Sequence, residues 1–120
     1  MSKKTVVIGA SSNPDRYSFK AVNALLNHNV EVIPLGIKKG EISGLEIIND
    51  KPSVEDVHTV SLYVGPKNQE SWMDYIISLN PKRVIFNPGT ENESFYNKLN
   101  ASNITFEDSC TLVLLSIGEY

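Results

Sequence analysis

The chain has 120 residues, 41% of them hydrophobic, and a formal net charge of −3. That is enough for one domain with a real core and too few for that domain plus a separate catalytic one. Lys and Arg are scattered rather than massed, so neither nucleic acid nor an anionic membrane surface is expected as a partner. Cys110 is the single cysteine, which excludes an internal disulfide and a cysteine-based metal cluster.

Met1-Ser2-Lys3-Lys4 leads straight into the β-branched run Thr5 to Ile8. No apolar segment there is long enough for a signal peptide or a membrane span, and a cytoplasmic location is expected. The glycosylation-like triplets at Asn92, Asn100 and Asn103 are then without consequence. Thr5 to Ile8 shows no alternation, the pattern of a strand covered on both faces in a parallel sheet. It breaks into the small-residue stretch Gly9-Ala10-Ser11-Ser12-Asn13-Pro14-Asp15-Arg16-Tyr17-Ser18. Phe19, Val22, Leu25 and Leu26 follow at helical spacing, so free N–H groups at the helix start should point back at that loop and favour an anion. Asn27-His28-Asn29 ends the helix, and Val30 to Leu35 is a second strand, completing a right-handed crossover unit.

Residues 36 to 52, with Gly36, Gly40 and Gly44, read as an irregular loop carrying a short extended piece. Ser53 is placed to cap about one turn of helix before the next strand. Val60 to Val64 is the third strand, ended by Gly65-Pro66. Asn68 to Leu79 has the broad apolar face of a helix, with Trp72, Met73, Ile76 and Ile77, and Asn80-Pro81 stops it. Val84 to Phe86 is the fourth strand, and Asn87-Pro88-Gly89 is a second loop suited to close approach. Thr90 and Glu93 have capping-box spacing, with Phe95 and Leu99 on the buried face of the next helix. Ile104 to Phe106 is a fifth strand, and Thr111 to Ile117 a terminal helix or helical turn. The fold class is α/β: residues 1–120 as one domain, a single Rossmann-like, doubly wound, parallel five-stranded sheet with helices on both faces. In such sheets ligands bind beyond the carboxyl ends of the strands, where the loops Gly9 to Ser18 and Asn87 to Asn92 should meet.

The dinucleotide fingerprint G-x-G-x-x-G is absent, since only Gly9 of it is present. The end of the second strand has Lys38 and Lys39 and no carboxylate, which suits a phosphorylated ribose as in NADP or coenzyme A; two solvated loop lysines are the plainer alternative. A phosphorelay receiver would need acidic residues where Gly9-Ala10 and Val64-Gly65 stand, and a flavodoxin a more hydroxyl-rich loop than Ser11-Ser12 supplies. His28 and His58 fall at element ends away from both loops, and Glu91 and Glu93 are explained by a helix N-terminus, so neither pair argues for catalysis. Trp72, Phe19, Phe95 and Phe106 fit core positions.

The loop Gly9 to Ser18, the Pro34 strand end with a nearby lysine, the segment Asn87-Pro88-Gly89-Thr90-Glu91-Asn92-Glu93 and the Cys110 region together resemble the small stand-alone CoA-binding proteins. Their domain is similar to the one that opens the succinyl-CoA synthetase alpha subunit. The resemblance implies coenzyme A or an acyl-CoA as ligand, bound by a non-catalytic binding or regulatory module. It implies that the loop Gly9-Ala10-Ser11-Ser12-Asn13-Pro14 binds the cofactor, with Gly9, Ser11 and Ser12 offering backbone and hydroxyl donors to the diphosphate and Arg16, Tyr17 and Ser18 closing over it. Lys38 or Lys39 would meet the adenosine end, and Val64, Gly65, Asn87, Pro88, Gly89 and Asn92 would line the pantetheine groove. Members often carry Asn-Pro where this chain has Leu35-Gly36, and Gln-Pro-Gly or Gln-Leu-Gly where it has Asn87-Pro88-Gly89. The phosphohistidine of the synthetases lies in a later domain, so ligase activity is not expected. Cys110 could form a mixed disulfide with the CoA thiol or be a small buried apolar residue. The alternatives are a small NADP-binding oxidoreductase and a subunit of a CoA-utilising enzyme. A protein partner or a homodimer is compatible with all of these.

Overall fold

The computed structural model describes residues 3–120. Five parallel strands form the main sheet: β1 (Thr5–Ile8), β2 (Val32–Leu35), β5 (Thr59–Leu62), β6 (Arg83–Phe86) and β7 (Thr105–Asp108), in the order β2-β1-β5-β6-β7. Between β2 and β5 lies a two-stranded hairpin, β3 (Glu41–Ile42) and β4 (Leu45–Glu46). The helices are α1 (Tyr17–Asn27), α2 (Pro66–Leu79), α3 (Glu93–Ala101) and α4 (Thr111–Ser116).

The β1 residues are fully buried, and they divide between two cores. Val6 and Ile8 pack with Trp72, Met73, Ile76 and Leu79 of α2 and with Phe95 and Leu99 of α3. Val7 points the other way, packing with Val22 and Leu25 of α1, Leu115 of α4 and Ile42 of the hairpin. A strand with no polar face is what two helical layers require, since successive side chains must both be apolar.

The segment after β2 is more ordered than its glycines and lysines suggest. Ser43 and Gly44 both have positive φ, 50° and 86°, which is the two-residue turn that joins tightly twisted hairpin strands. The chain then returns to the sheet at Ile48, which pairs in parallel with Leu35 through hydrogen bonds from Gly36 N to Ile48 O and from Ile48 N to Pro34 O. One residue therefore stands where a Rossmann sheet has its third strand, and the hairpin replaces the helix that would lead to it.

Three local expectations are corrected. Residues 53–56 form no helix: Asp56 has φ 57°, and Ser53 caps nothing. The third strand stops at Leu62, because the Val64 carbonyl is engaged by the Gln69 side chain instead of a neighbouring strand. Thr90 does not cap α3. Its N and Oγ1 both donate to Asn87 O, closing a turn, and the cap position falls at Asn92. Other helix ends follow from the sequence. Asn80 ends α2 in the left-handed region with Pro81 behind it, and Asn29 does the same one residue beyond the α1 cap. Among the described residues no helix is long and apolar enough to cross a membrane.

Candidate functional site

The parallel register brings the carboxyl ends of β1, β2, β5 and β6 to one edge of the sheet. The first loop is packed into that edge from three sides. Gly9 and Ala10 both donate their N–H groups to Leu35 O, at 3.0 and 2.9 Å. Gly9 has φ +94°, and a Cβ there would come within 3.1 Å of Tyr63 C and Val64 Cγ2. Gly36 lies so close that a Cβ on it would stand 2.4 Å from Ala10 O. Small residues at 9 and 36 are thus set first by the protein's own backbone contacts.

This changes which groups in the loop are open to a ligand. The N–H groups of Gly9 and Ala10 face the β2 end and are engaged. Asn13 N donates to Ser11 Oγ, Asp15 N to Asn13 Oδ1, and Arg16 N to Asn13 O, which shapes the chain into tight turns entering α1. The N–H groups of Ser11 and Ser12 reach no acceptor among the described residues, and Arg16 at the α1 cap position offers no side-chain cap. An uncapped helix start beside two free loop amides and two serine hydroxyls is an anion-binding arrangement. Pro14, Arg16 and Tyr17 are exposed around it, Tyr17 at 68% with Lys20 Nζ 5.3 Å from its ring centre, while Ser18 is buried.

The second loop is tied to the first group of elements by buried amides. Asn87 is fully buried; its Nδ2 donates to Ser61 Oγ and Leu62 O, each at 2.9 Å, and its Oδ1 accepts from Thr111 N at 2.9 Å. It holds β5, β6 and the start of α4 together from beneath, so its side chain does not line a groove. Pro88 and Gly89 are the exposed part of that loop, and Glu91 Oε1 accepts from Gly89 N at 2.9 Å, which accounts for one of the loop carboxylates. Gln69, which sequence reasoning passed over, is the second such tie. Fully buried, it donates Nε2 to Val64 O at 2.8 Å and Thr90 O at 2.6 Å, and accepts from Asn92 Nδ2 at 3.0 Å. Its signal was legible: a polar residue at position 69 shares the apolar stripe of Trp72, Met73, Ile76 and Leu79.

Two surface clefts flank the segment after β2. One, of about 410 Å³, is lined by Lys39, Gly40, Glu41, Glu46, Ile47 and Asn49. Glu41 and Glu46 are directly paired across the hairpin, so this cleft carries more negative than positive charge. Lys38 and Lys39 are exposed and enter no ion pair among the described residues. The other cleft, of about 330 Å³, is lined by Gly36, Ile37, Asn49, Asp50, Lys51 and Trp72.

Cys110 is half-buried at the start of α4. Burial, and after it the neighbouring Cys110 thiol, push the Tyr63 phenol well above the ordinary tyrosine range. Tyr63 is therefore a neutral group at neutral pH. Both histidines sit at the opposite, amino edge of the sheet, His28 after α1 and His58 before β5. His58 is held below its ordinary value by burial first, then by Arg83, Lys3 and Lys82.

A parallel sheet in this strand order, with small-residue loops and an uncapped helix start at its carboxyl edge, is a Rossmann-like α/β architecture. The family model of the CoA binding domain matches residues 3–116, and the chain belongs to that family. The fold agrees with a crystal structure of an uncharacterized protein that is 49% identical, with 100% of this chain and 99% of that one covered and a TM-score of 0.97. It is similar also to a hypothetical protein from Pyrococcus horikoshii OT3, 27% identical over 93% of this chain and 80% of that one, TM-score 0.81. A conserved hypothetical protein from Pyrococcus furiosus is 26% identical over 92% and 97% of the two chains, TM-score 0.83. No protein of curated function matches the chain.

Proposed function

We propose that residues 1–120 act as one CoA-binding, Rossmann-like domain that holds coenzyme A or an acyl-CoA as a binding or regulatory module without chemistry of its own. The observation that carries this reading is the row of free amides at Ser11, Ser12 and the uncapped α1 start, in a chain of the CoA-binding domain family. The diphosphate would rest there, with the Ser11 and Ser12 hydroxyls adding donors and Arg16 a charge-assisted hydrogen bond. The pantetheine arm would run past Val64, Gly65, Pro88, Gly89 and Asn92, with Asn87 acting through the shape of the loop. The non-catalytic part rests on the side chains near the loops. Glu91 is engaged with Gly89 N, and the histidines lie at the far edge of the sheet. Lys38 and Lys39 would raise the local concentration of an anionic ligand from their exposed loop.

Thermal unfolding with CoA, dephospho-CoA, NADP and NAD tests the reading. A ligand at 100 times its dissociation constant stabilises by about 2.7 kcal/mol, roughly 10 °C for a domain of this size. CoA should give that shift. A shift with NADP and none with CoA would refute the proposal in favour of a small oxidoreductase.

A further inference from the structure

We infer that Gly40, immediately before β3, is a positioning residue for the anion loop: its lack of a side chain seats Ser12, and through that contact the β3–β4 hairpin sets where the loop's free donors stand. This rests on the CoA reading above and adds to it a residue outside the loops that would hold the ligand.

The first loop is held unevenly. Its beginning is fixed by the Gly9 and Ala10 N–H groups on Leu35 O, at 3.0 and 2.9 Å. Ser12, one of the two residues whose amides are free for an anion, is exposed, and its N–H reaches no backbone acceptor among the described residues. What stands against it is Gly40. A Cβ there would lie 2.7 Å from Ser12 Oγ and 2.8 Å from Ser12 Cβ, with Ile47 Cδ1 next at 3.7 Å. Turning the Ser12 hydroxyl to another rotamer relieves the first clash and not the second, because Cβ moves only with the main chain. A side chain at position 40 therefore displaces the Ser12 backbone, and the amide with it.

Gly40 is itself held from α1, whose uncapped start supplies the other donors of the site. Its carbonyl accepts from Ile47 N at 2.8 Å, closing the base of the hairpin. Ile42 and Ile47 are buried in one cluster with Ala10, Val22 and Leu25, and Ser43 Oγ donates to Asn23 Oδ1 on α1. On the approach to the hairpin, Asn49 Nδ2 donates to Gly36 O and Lys38 O, both at 2.9 Å. The hairpin is thus a brace from the body of α1 to Ser12, and it fixes the separation between the two sets of donors. Donors placed in advance lose less freedom when a ligand arrives.

Gly40 has φ +159°, at the border of the region that side chains rarely adopt, so Gly40→Ala adds backbone strain to the clash. A double-mutant cycle with Ser12→Gly separates the two, since strain at position 40 is common to both backgrounds and cancels. By calorimetric titration, Gly40→Ala should weaken CoA by roughly tenfold or more with Ser12 present and by less than about twofold in the Ser12→Gly background, a coupling of about 1 kcal/mol or more. ADP, which keeps a diphosphate and lacks the pantetheine arm, should show the same coupling. Asn23→Ala leaves position 40 untouched and cuts the brace at α1; it should weaken CoA by roughly threefold with the urea midpoint unchanged. Equal losses in the two backgrounds, a coupling seen with CoA and absent with ADP, or full affinity in Asn23→Ala overturns this inference and leaves CoA binding standing. Failure of wild-type protein to bind CoA in the thermal test overturns both.

Discussion

Replacing Gln69 by Leu tests whether the two loops of the site are held by one buried amide. The change keeps the volume nearly constant and removes three hydrogen bonds, those to Val64 O, Thr90 O and from Asn92 Nδ2. Their costs differ because the partners differ in access to water. Thr90 is 3% exposed, so its carbonyl is left buried and unpaired, at about 1 to 3 kcal/mol. Val64 and Asn92 are only half-buried and recover water, at about 0.5 to 1 kcal/mol each. The sum is about 2 to 5 kcal/mol, a large share of the roughly 5 to 15 kcal/mol that holds a domain of this kind folded. Urea unfolding followed by far-UV circular dichroism should show a lower midpoint with an unchanged slope. CoA affinity should fall as well, because Val64 and the segment 89 to 92 lose their common anchor. A loss below about 0.5 kcal/mol would show that the buried amide does not hold these loops, and the account of the site built on it would fail.

Two further outcomes follow from the same geometry. Gly36→Ala places a methyl 2.4 Å from Ala10 O, a main-chain atom that no rotamer change can move, so the first loop must shift. A cost of about 1 to 3 kcal/mol and a larger loss of CoA affinity are expected, whereas Gly65→Ala, in open space, should cost under about 1 kcal/mol. Equal stability of the two variants by urea unfolding would contradict the packing argument. The His58 imidazole is held below its ordinary 6.5 in the fold, by burial and by Arg83, Lys3 and Lys82. The unfolded chain then takes up that proton first, so stability declines as pH falls through about 6.5 toward the folded value and levels off below it. His58→Gln should flatten this part of the urea midpoint against pH between about 7.5 and 5. Identical profiles for the variant and the wild type would refute it.

The order of elements was legible because the strands of the main sheet other than β7 are short, mostly apolar runs and each of the three longer helices carries an apolar face with a recognisable end. Asn80-Pro81 and the polar triplet 27 to 29 are such ends. The turn at Thr90 was not legible: Thr90 and Glu93 have the spacing of a capping box, but the Asn87 carbonyl lies within reach and takes both Thr90 donors. The hairpin from Glu41 to Glu46 was missed for a similar reason. Its two-residue strands are too short to show a period, and what holds them is tertiary: packing of Ile42 and Ile47 against the α1 core and the hydrogen bond from Ser43 Oγ to Asn23 Oδ1 of α1.

The sequence by itself determined the Rossmann-like architecture and the family, and it singled out the small-residue loop after β1, because these follow from local patterns of apolar, small and helix-ending residues. Only the tertiary structure decided which atoms of that loop are free. Gly9 looked available as a donor and its N–H, like that of Ala10, is engaged by Leu35 O, while the Asn87 side chain is buried and hydrogen-bonded to Ser61, Leu62 and Thr111. Gln69 acquires its place from Thr90, 21 residues away in the chain. Hydrogen bonds between distant segments leave no periodic trace in a sequence, and they are what shapes this site.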